Sequence, residues 1–132
     1  MMYIVIKGGE LVAIHESGEM YLETILILSQ NLPFVRAIDI CEEMGYSKPS
    51  VSRGLGLLRK GGFIEVDNSG GITLTSDGKN IAQRIYKRHK TLTEFLILLG
   101  VDKETAAADA CKIEHDISDT SFLMICKFIE RA

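Results

Sequence analysis

Three side chains that ligate first-row transition metals crowd into five positions near the C-terminus, Cys111-Lys-Ile-Glu-His115. On a helix, positions 111 and 114 are three apart and 111 and 115 are four apart. Thiolate, carboxylate and imidazole would then share one face within a single turn. Each is a metal ligand once deprotonated. Three such donors also meet by chance on solvated helix faces, so the spacing alone suggests a metal without fixing one. His89, on the preceding long helix, is a fourth candidate, although an isolated histidine is more often simply satisfied or exposed. Met20 and Glu23 lie i, i+3 on the first helix and can point at a common spot. Taken alone, that methionine reads as core and that glutamate as solvated. No glycine loop of substrate size, nucleophile–base pair or oxyanion arrangement accompanies these donors, which argues against an enzyme.

A second constellation lies in the middle of the chain, Gly45-Tyr-Ser-Lys-Pro-Ser-Val-Ser-Arg-Gly-Leu-Gly-Leu-Leu-Arg-Lys-Gly-Gly-Phe63. Ser47 suits a helix N-cap, and Pro49 suits the first turn, where its missing N–H removes no bond. Val51, Leu55 and Leu58 form one apolar stripe at i, i+4, i+7. Ser50, Ser52, Arg53, Arg59 and Lys60 fall mostly on other faces, and Gly61-Gly62 stops the helix. A short capped helix with an apolar back and a front of hydroxyls and arginines suits the major groove of DNA. Ser50, Ser52 and Arg53 are the candidates for base contact. Lys48, Arg59 and Lys60 are the candidates for phosphate or wing-side contact.

The elements around this helix must position it. Val35–Met44 reads as a short amphipathic helix, and Gly45 supplies the tight turn of a helix-turn-helix. Downstream, Phe63-Ile-Glu-Val-Asp67 alternates as a strand, Asn68–Gly71 turns, and Ile72-Thr-Leu-Thr75 is the returning strand. That hairpin is the wing of a winged helix. Upstream, the first full helix begins at Ser17 with Glu19 favourable in its first turn, and Tyr21, Ile25 and Leu28 form its core stripe. The expected class is mainly α with a small β-hairpin. Residues 15–76 form a winged helix-turn-helix, and residues 77–132 an all-helical metal-binding and dimerisation domain.

Thr75 or Ser76 caps a long helix over Gly78–Leu99, basic in its first half. Its second half, Phe95-Leu-Ile-Leu-Leu99, is apolar all round and should be buried on more than one side. Asp102 caps the next helix, Lys103 to about His115. Ser118 caps the last, where Phe122, Leu123, Ile125, Cys126, Phe128 and Ile129 span a wide apolar face. One small core cannot cover both, which predicts a homodimer with two reading heads.

Charge is unevenly distributed. The chain has a formal net charge of −3, yet residues 45–90 hold nine Lys/Arg against three acids, a net +6 against −9 for the remainder. A basic middle between acidic ends suits a protein that holds phosphates with one part and a cation with another. No transmembrane span or signal peptide is visible. The three cysteines, Cys41, Cys111 and Cys126, are odd in number and unclustered, which excludes a disulfide framework and fits a reducing cytoplasm. Residues 1–14 read as an N-terminal extension of little function. Lys7-Gly-Gly-Glu10 is what a purine-rich ribosome-binding site would encode if translated, so the native start is expected at Leu11 or Val12. The alternative is a genuine strand, since Tyr3–Ile6 has strong β propensity.

Over about His15–Ile129 the chain resembles the metal-dependent transcriptional repressors of the diphtheria-toxin-repressor and manganese-transport-regulator group. The resemblance is carried by E-M-Y-L-E at Glu19–Glu23, the winged helix-turn-helix, L-T-S-D-G at Leu74–Gly78, R-H at Arg88–His89 and A-C-K-I-E-H at Ala110–His115. It implies a DNA-binding homodimer that represses metal-uptake genes when metal is bound. In the iron-responsive branch the effector site uses the residues matching Met20, Cys111, Glu114 and His115. A second site there needs the histidine matching His89, a glutamate four residues later and a histidine four before the cysteine. Thr93 and Ala107 stand in those places, so a full second site of that kind is not expected. The manganese branch has Asp in place of Met20 and Glu in place of Cys111, with glutamate and histidine ligands matching Glu23 and His89. The donor set is therefore a hybrid of Met20, Glu23, His89, Cys111, Glu114 and His115.

Soft thioether and thiolate donors favour Fe(II) first and Mn(II) second, with Zn(II) or Co(II) also accommodated. The SH3-like domain that members often carry at the C-terminus is not expected. The resulting expectation is a metal-activated repressor acting on a palindromic operator. The competing readings are a winged-helix regulator indifferent to metal and, less favoured, a small metalloenzyme with an open coordination position.

Overall fold

The computed structural model describes the backbone of residues 3–7, 10–14 and 16–132 and the side chains from Ser17 onward. The chain divides into two compact units, Met2–Gln83 and Arg84–Ala132.

The N-terminal unit opens with an antiparallel hairpin of β1 (Tyr3–Lys7) and β2 (Glu10–Ile14), in register Tyr3↔Ile14 to Lys7↔Glu10. The segment read as an extension therefore takes the strand alternative in its backbone. Gly8, Gly9 and His15 lie outside the described residues. Helix α1 (Glu16–Ser29) follows. Its buried stripe is Tyr21, Leu22 and Ile25. Leu28, expected in the core, is only half-buried, and Leu22 replaces it as the innermost side chain.

Helix α2 (Ala37–Met44) starts two residues later than its apolar pattern suggests. The reason is local. The Ile72 N–H donates to the Val35 carbonyl at 2.8 Å, which holds Val35 as a fragment of strand beside the wing. Asp39 then closes the helix start by accepting from the Arg36 N–H at 2.9 Å. Gly45 ends α2 with φ 71°, a left-handed conformation that glycine adopts without a Cβ clash, and its N–H reaches the Cys41 carbonyl at 2.9 Å.

Helix α3 (Lys48–Lys60) is built as its sequence dictates. Ser47 Oγ accepts from the Ser50 N–H, and Val51, Leu55 and Leu58 are all buried. The wing is β3 (Ile64–Val66) and β4 (Ile72–Leu74), antiparallel with Glu65 opposite Thr73. Asp67 organises its tip: the carboxylate accepts from Ser69 Oγ at 2.8 Å, the Ser69 N–H at 2.9 Å and the Gly71 N–H at 2.8 Å. These bonds, the Ser69 hydroxyl first, hold the Asp67 carboxyl below the usual carboxylate range. Helix α4 (Ser76–Leu98) begins where Thr75 Oγ1 accepts from the Gly78 N–H while donating to the Gly62 carbonyl. Gly78 is buried against the Phe63 carbonyl so closely that a Cβ there would overlap backbone.

The C-terminal unit holds the rest of α4, then α5 (Lys103–Ile113) and α6 (Asp119–Arg131). Asp102 caps α5 through the Thr105 N–H at 3.0 Å, and Ser118 caps α6 through the Ser121 N–H at 3.1 Å. Ile85, Leu92, Ala106 and Ala110 are buried, and Phe95 meets Phe128 edge-on with ring centroids 5.8 Å apart. The expectation that Phe95–Leu99 is enclosed on several sides does not hold within one chain. Ile97, Leu98 and Leu99 are exposed, as are Leu123, Met124 and Phe128 of α6, because three helices present more apolar surface than they can cover mutually.

Arg88 of α4 fixes the turn between α5 and α6. Its guanidinium donates to the Ile117 carbonyl at 2.8 Å and the Glu114 carbonyl at 3.1 Å, and it pairs with Asp119. The charge also sits 5.3 Å from the Phe122 ring centroid. Arg88 is 5% exposed and its carbonyl bonds are sheltered, although the Asp119 carboxylate faces solvent, and a planar fork with several donors is hard to replace there.

Two substitutions test this construction. Gly78→Ala should destabilise the fold by about 1–3 kcal/mol or more, since only backbone can give way. Arg88→Ala should lose about 2–4 kcal/mol, with Arg88→Lys recovering little of it, because two carbonyls and one carboxylate need the fork. Denaturant unfolding of the metal-free protein measures both, and wild-type midpoints would contradict them.

Candidate metal centre and reading helix

The buried carboxylate of Glu114 is the centre of the donor cluster in the C-terminal unit. Glu114 is fully buried and His115 is 2% exposed. His89 of α4 brings Nδ1 to 2.8 Å from Glu114 Oε2, and His115 Nε2 lies 3.3 Å from Glu114 Oε1. One imidazole therefore faces each oxygen of the same carboxylate. An acid and two imidazoles at this separation are a nitrogen–oxygen donor set suited to a divalent first-row ion. Burial strengthens that suitability, since a carboxylate out of water gains most from a cation.

The local fold that delivers these donors is close to the helix the spacing predicts. Helix α5 is regular to Ile113, and Glu114 is its C-cap, still right-handed helical with its N–H on the Ala110 carbonyl at 2.9 Å, so Glu114 keeps its helical spacing from Cys111 while His115 enters the turn that follows. The Ile113 carbonyl accepts from the Asp116 and Ile117 N–H groups, and Arg88 takes the Glu114 and Ile117 carbonyls. Those bonds shape the turn that carries His115 out of the helix. Cys111 stays in the last turn of α5, half-buried, and none of the three cysteines forms a disulfide.

Met20 and Glu23 belong to α1 of the N-terminal unit. Glu23 is 8% exposed and Met20 is half-buried. The bland reading of Glu23 as a solvated acid is therefore corrected. Glu19, read only as favourable in the first turn, is buried as well. It stands four residues before Glu23, on the same helix face, and that periodicity was the available signal. Arg88 went unnoticed for a different reason, because a basic helix gives no hint of which arginine turns inward.

In the reading helix, Lys48, Ser52, Arg53, Arg59 and Lys60 are exposed. Ser50 is half-buried and spoken for: its Oγ accepts from Ser47 Oγ at 2.9 Å, and its carbonyl accepts from Tyr21 OH at 3.4 Å. It belongs to the cap more than to the outward front. Gly54 sits on the inner side under the Tyr21 ring, where a Cβ would overlap ring carbons. No acid occurs along α3, so its surface is uniformly neutral or basic. Among the described residues no helix is long and apolar enough to cross a membrane.

Comparison with known proteins agrees with this division. Residues 13–72 match the family described as iron dependent repressor, N-terminal DNA binding domain. Residues 75–132 match iron dependent repressor, metal binding and dimerisation domain. The HTH-type transcriptional regulator MntR of Lysinibacillus sphaericus (strain C3-41) is 32% identical over 114 residues, covering 86% of this chain and 82% of the relative. MntR of Bacillus subtilis (strain 168) is 35% identical over 102 residues, covering 77% of this chain and 72% of the relative. The solved structure of the manganese regulator SloR superposes with a TM-score of 0.78 at 28% identity, over 87% of this chain and 54% of that one. The chain thus spans about half the length of SloR. It belongs to the iron-dependent repressor family, metal-dependent transcriptional regulators, not enzymes, with a winged-helix DNA-binding domain and a helical metal-binding and dimerisation domain.

Proposed function

We propose that this protein is a cytoplasmic repressor of metal-uptake genes that binds a palindromic operator as a homodimer when loaded with Fe(II) or Mn(II). The observation that carries the proposal is the buried Glu114 carboxylate with an imidazole at each oxygen, His89 and His115. In the proposed site Glu114, His115 and His89 hold the ion from the C-terminal unit, and Glu23 and Met20 add donors from α1. Cys111 is the discriminating ligand. With its thiolate and the Met20 thioether in the shell the site favours Fe(II); with carboxylates and imidazoles alone it accepts Mn(II). The relatives named for manganese support the second ion, and the soft donors of this chain support the first. Zn(II) and Co(II) fit the same donors as competitors.

The ion supplies positive charge and a fixed geometry, and the chain does the rest. Glu23, Glu114, His89 and His115 would hold the ion, which would offset the repulsion between the carboxylates and so tie α1 with its reading head to the helical unit. Two recognition helices would then be held about one DNA turn apart, ~34–36 Å, to meet successive half-sites. Dimerisation uses the exposed apolar surface of Ile97, Leu98, Leu123, Met124 and Phe128. The ion can shift the equilibrium only by as much as it prefers the DNA-competent form, typically ~1–3 kcal/mol, or roughly five- to a hundredfold in occupancy.

The test uses duplexes selected by the wild-type protein from a random-sequence library, with binding titrated anaerobically against Fe(II), Mn(II) and Zn(II), since thiolates oxidise in air. Glu114→Gln, which keeps the buried side chain's size, and His115→Ala should both lose metal-stimulated binding, with the metal-free protein still folding cooperatively. Cys111→Ser should lose the Fe(II) response and keep that to Mn(II). Binding that is unchanged in chelator would refute metal control and favour a winged-helix regulator with another trigger.

A further inference from the structure

The outward face of α3 carries two residues that the packing of this chain does not explain. Pro49, Arg53, Gly56 and Lys60 follow one another at i, i+4, i+7, i+11, and all four are exposed. They lie opposite the buried Val51, Leu55 and Leu58. Gly56 is thus in the middle of the front. A glycine inside a helix is unfavourable relative to alanine by roughly 0.5–1 kcal/mol. Gly54 has a structural reason, the Tyr21 ring that a Cβ would strike, whereas a Cβ on Gly56 would meet nothing within 4 Å. Beside it, Leu57 is 71% exposed, the most exposed large apolar side chain among the described residues. Yet it follows Arg53 by one helical turn, with Lys60 three residues on beside it.

We infer that Gly56 and Leu57 form a close apolar contact with the DNA major groove, in which the bare helix backbone at Gly56 approaches the duplex and Leu57 packs on a thymine methyl. The inference rests on α3 being the reading helix. Its chemistry is specific. The basic residues around the pair attract phosphates without regard to sequence. In the major groove the thymine C5-methyl is the apolar group that a leucine can read. A missing Cβ shortens the distance between helix axis and base edges, which lets a branched side chain reach past the phosphates. The face has no acid to repel DNA. Gly56 and Leu57 would therefore contribute to which bases the protein prefers, while Arg59 and Lys60 set how strongly it holds DNA of any sequence.

The experiment measures affinity for the duplex selected by wild type from a random library, at saturating Mn(II), for wild type, Gly56→Ala, Leu57→Ala and the control Arg53→Ala. Gly56→Ala should bind about tenfold or more weakly, with an unfolding temperature at or above wild type, because nothing in the fold opposes the added methyl. Thymines of the duplex are then replaced singly by deoxyuridine. At one position per half-site the loss of the methyl should weaken wild type by about fourfold and leave Leu57→Ala unaffected. Wild-type affinity for Gly56→Ala, or no position whose methyl effect disappears in Leu57→Ala, would overturn the inference. If Arg53→Ala is also silent, the reading of α3 as the recognition helix falls with it; if Arg53→Ala alone weakens binding, only the present inference does.

Discussion

The structure depends on one buried acid. Glu114 is fully enclosed, its two oxygens face His89 and His115, and its carbonyl is gripped by Arg88. Burying a carboxylate is expensive unless hydrogen bonds or a positive charge accompany it. Here the neighbours are groups that can either protonate or ligate, which makes the carboxylate a natural place for a cation to act. The side chain and main chain of Glu114 do separate jobs. The carboxylate supplies chemistry, and the carbonyl anchors the turn that aims it. Arg88 therefore supports the donors without being one of them, and Asp119 steadies that arginine from the start of α6.

The two units divide the work along lines set by composition. The N-terminal unit is a reading device whose stability comes from Tyr21, Leu22, Ile25, Val51, Leu55 and Phe63, with Val35 and Asp67 fixing the wing. The C-terminal unit cannot bury all its apolar surface alone, and α6 contains no fully buried residue. A surface like this is stable in water when another copy covers it, and the dimerisation domain of the family has that role. An ion held by donors from both units would give the reading device a fixed attachment to the paired half.

Much of this was legible in the sequence, and the failures have physical causes. Helix α3 could be read to its ends because cap, proline, apolar stripe and terminal glycines are all local signals that agree. The wing was readable for the same reason. The turn after α5 was not, since Arg88 from another helix holds its carbonyls, and no spacing within Cys111–His115 announces a distant guanidinium. Helix α2 was read two residues too long because the bridge from Val35 to Ile72 joins segments far apart in the chain. The resemblance to metal-dependent repressors supplied the ligand roles proposed for His89 and Glu23. Residue types alone left one as an ordinary histidine and the other as a solvated acid.

The central claim is that α1 contributes donors to an ion held by Glu114, His115 and His89. The most direct measurement is the Mn(II) affinity of the double variant Met20→Leu, Glu23→Gln, read anaerobically by the electron paramagnetic resonance of free Mn(II), beside its metal-free unfolding curve. The account predicts affinity lower by about tenfold or more with the unfolding curve essentially preserved. Affinity equal to wild type would contradict it, leaving an ion bound by the C-terminal unit alone and unable to position the reading heads.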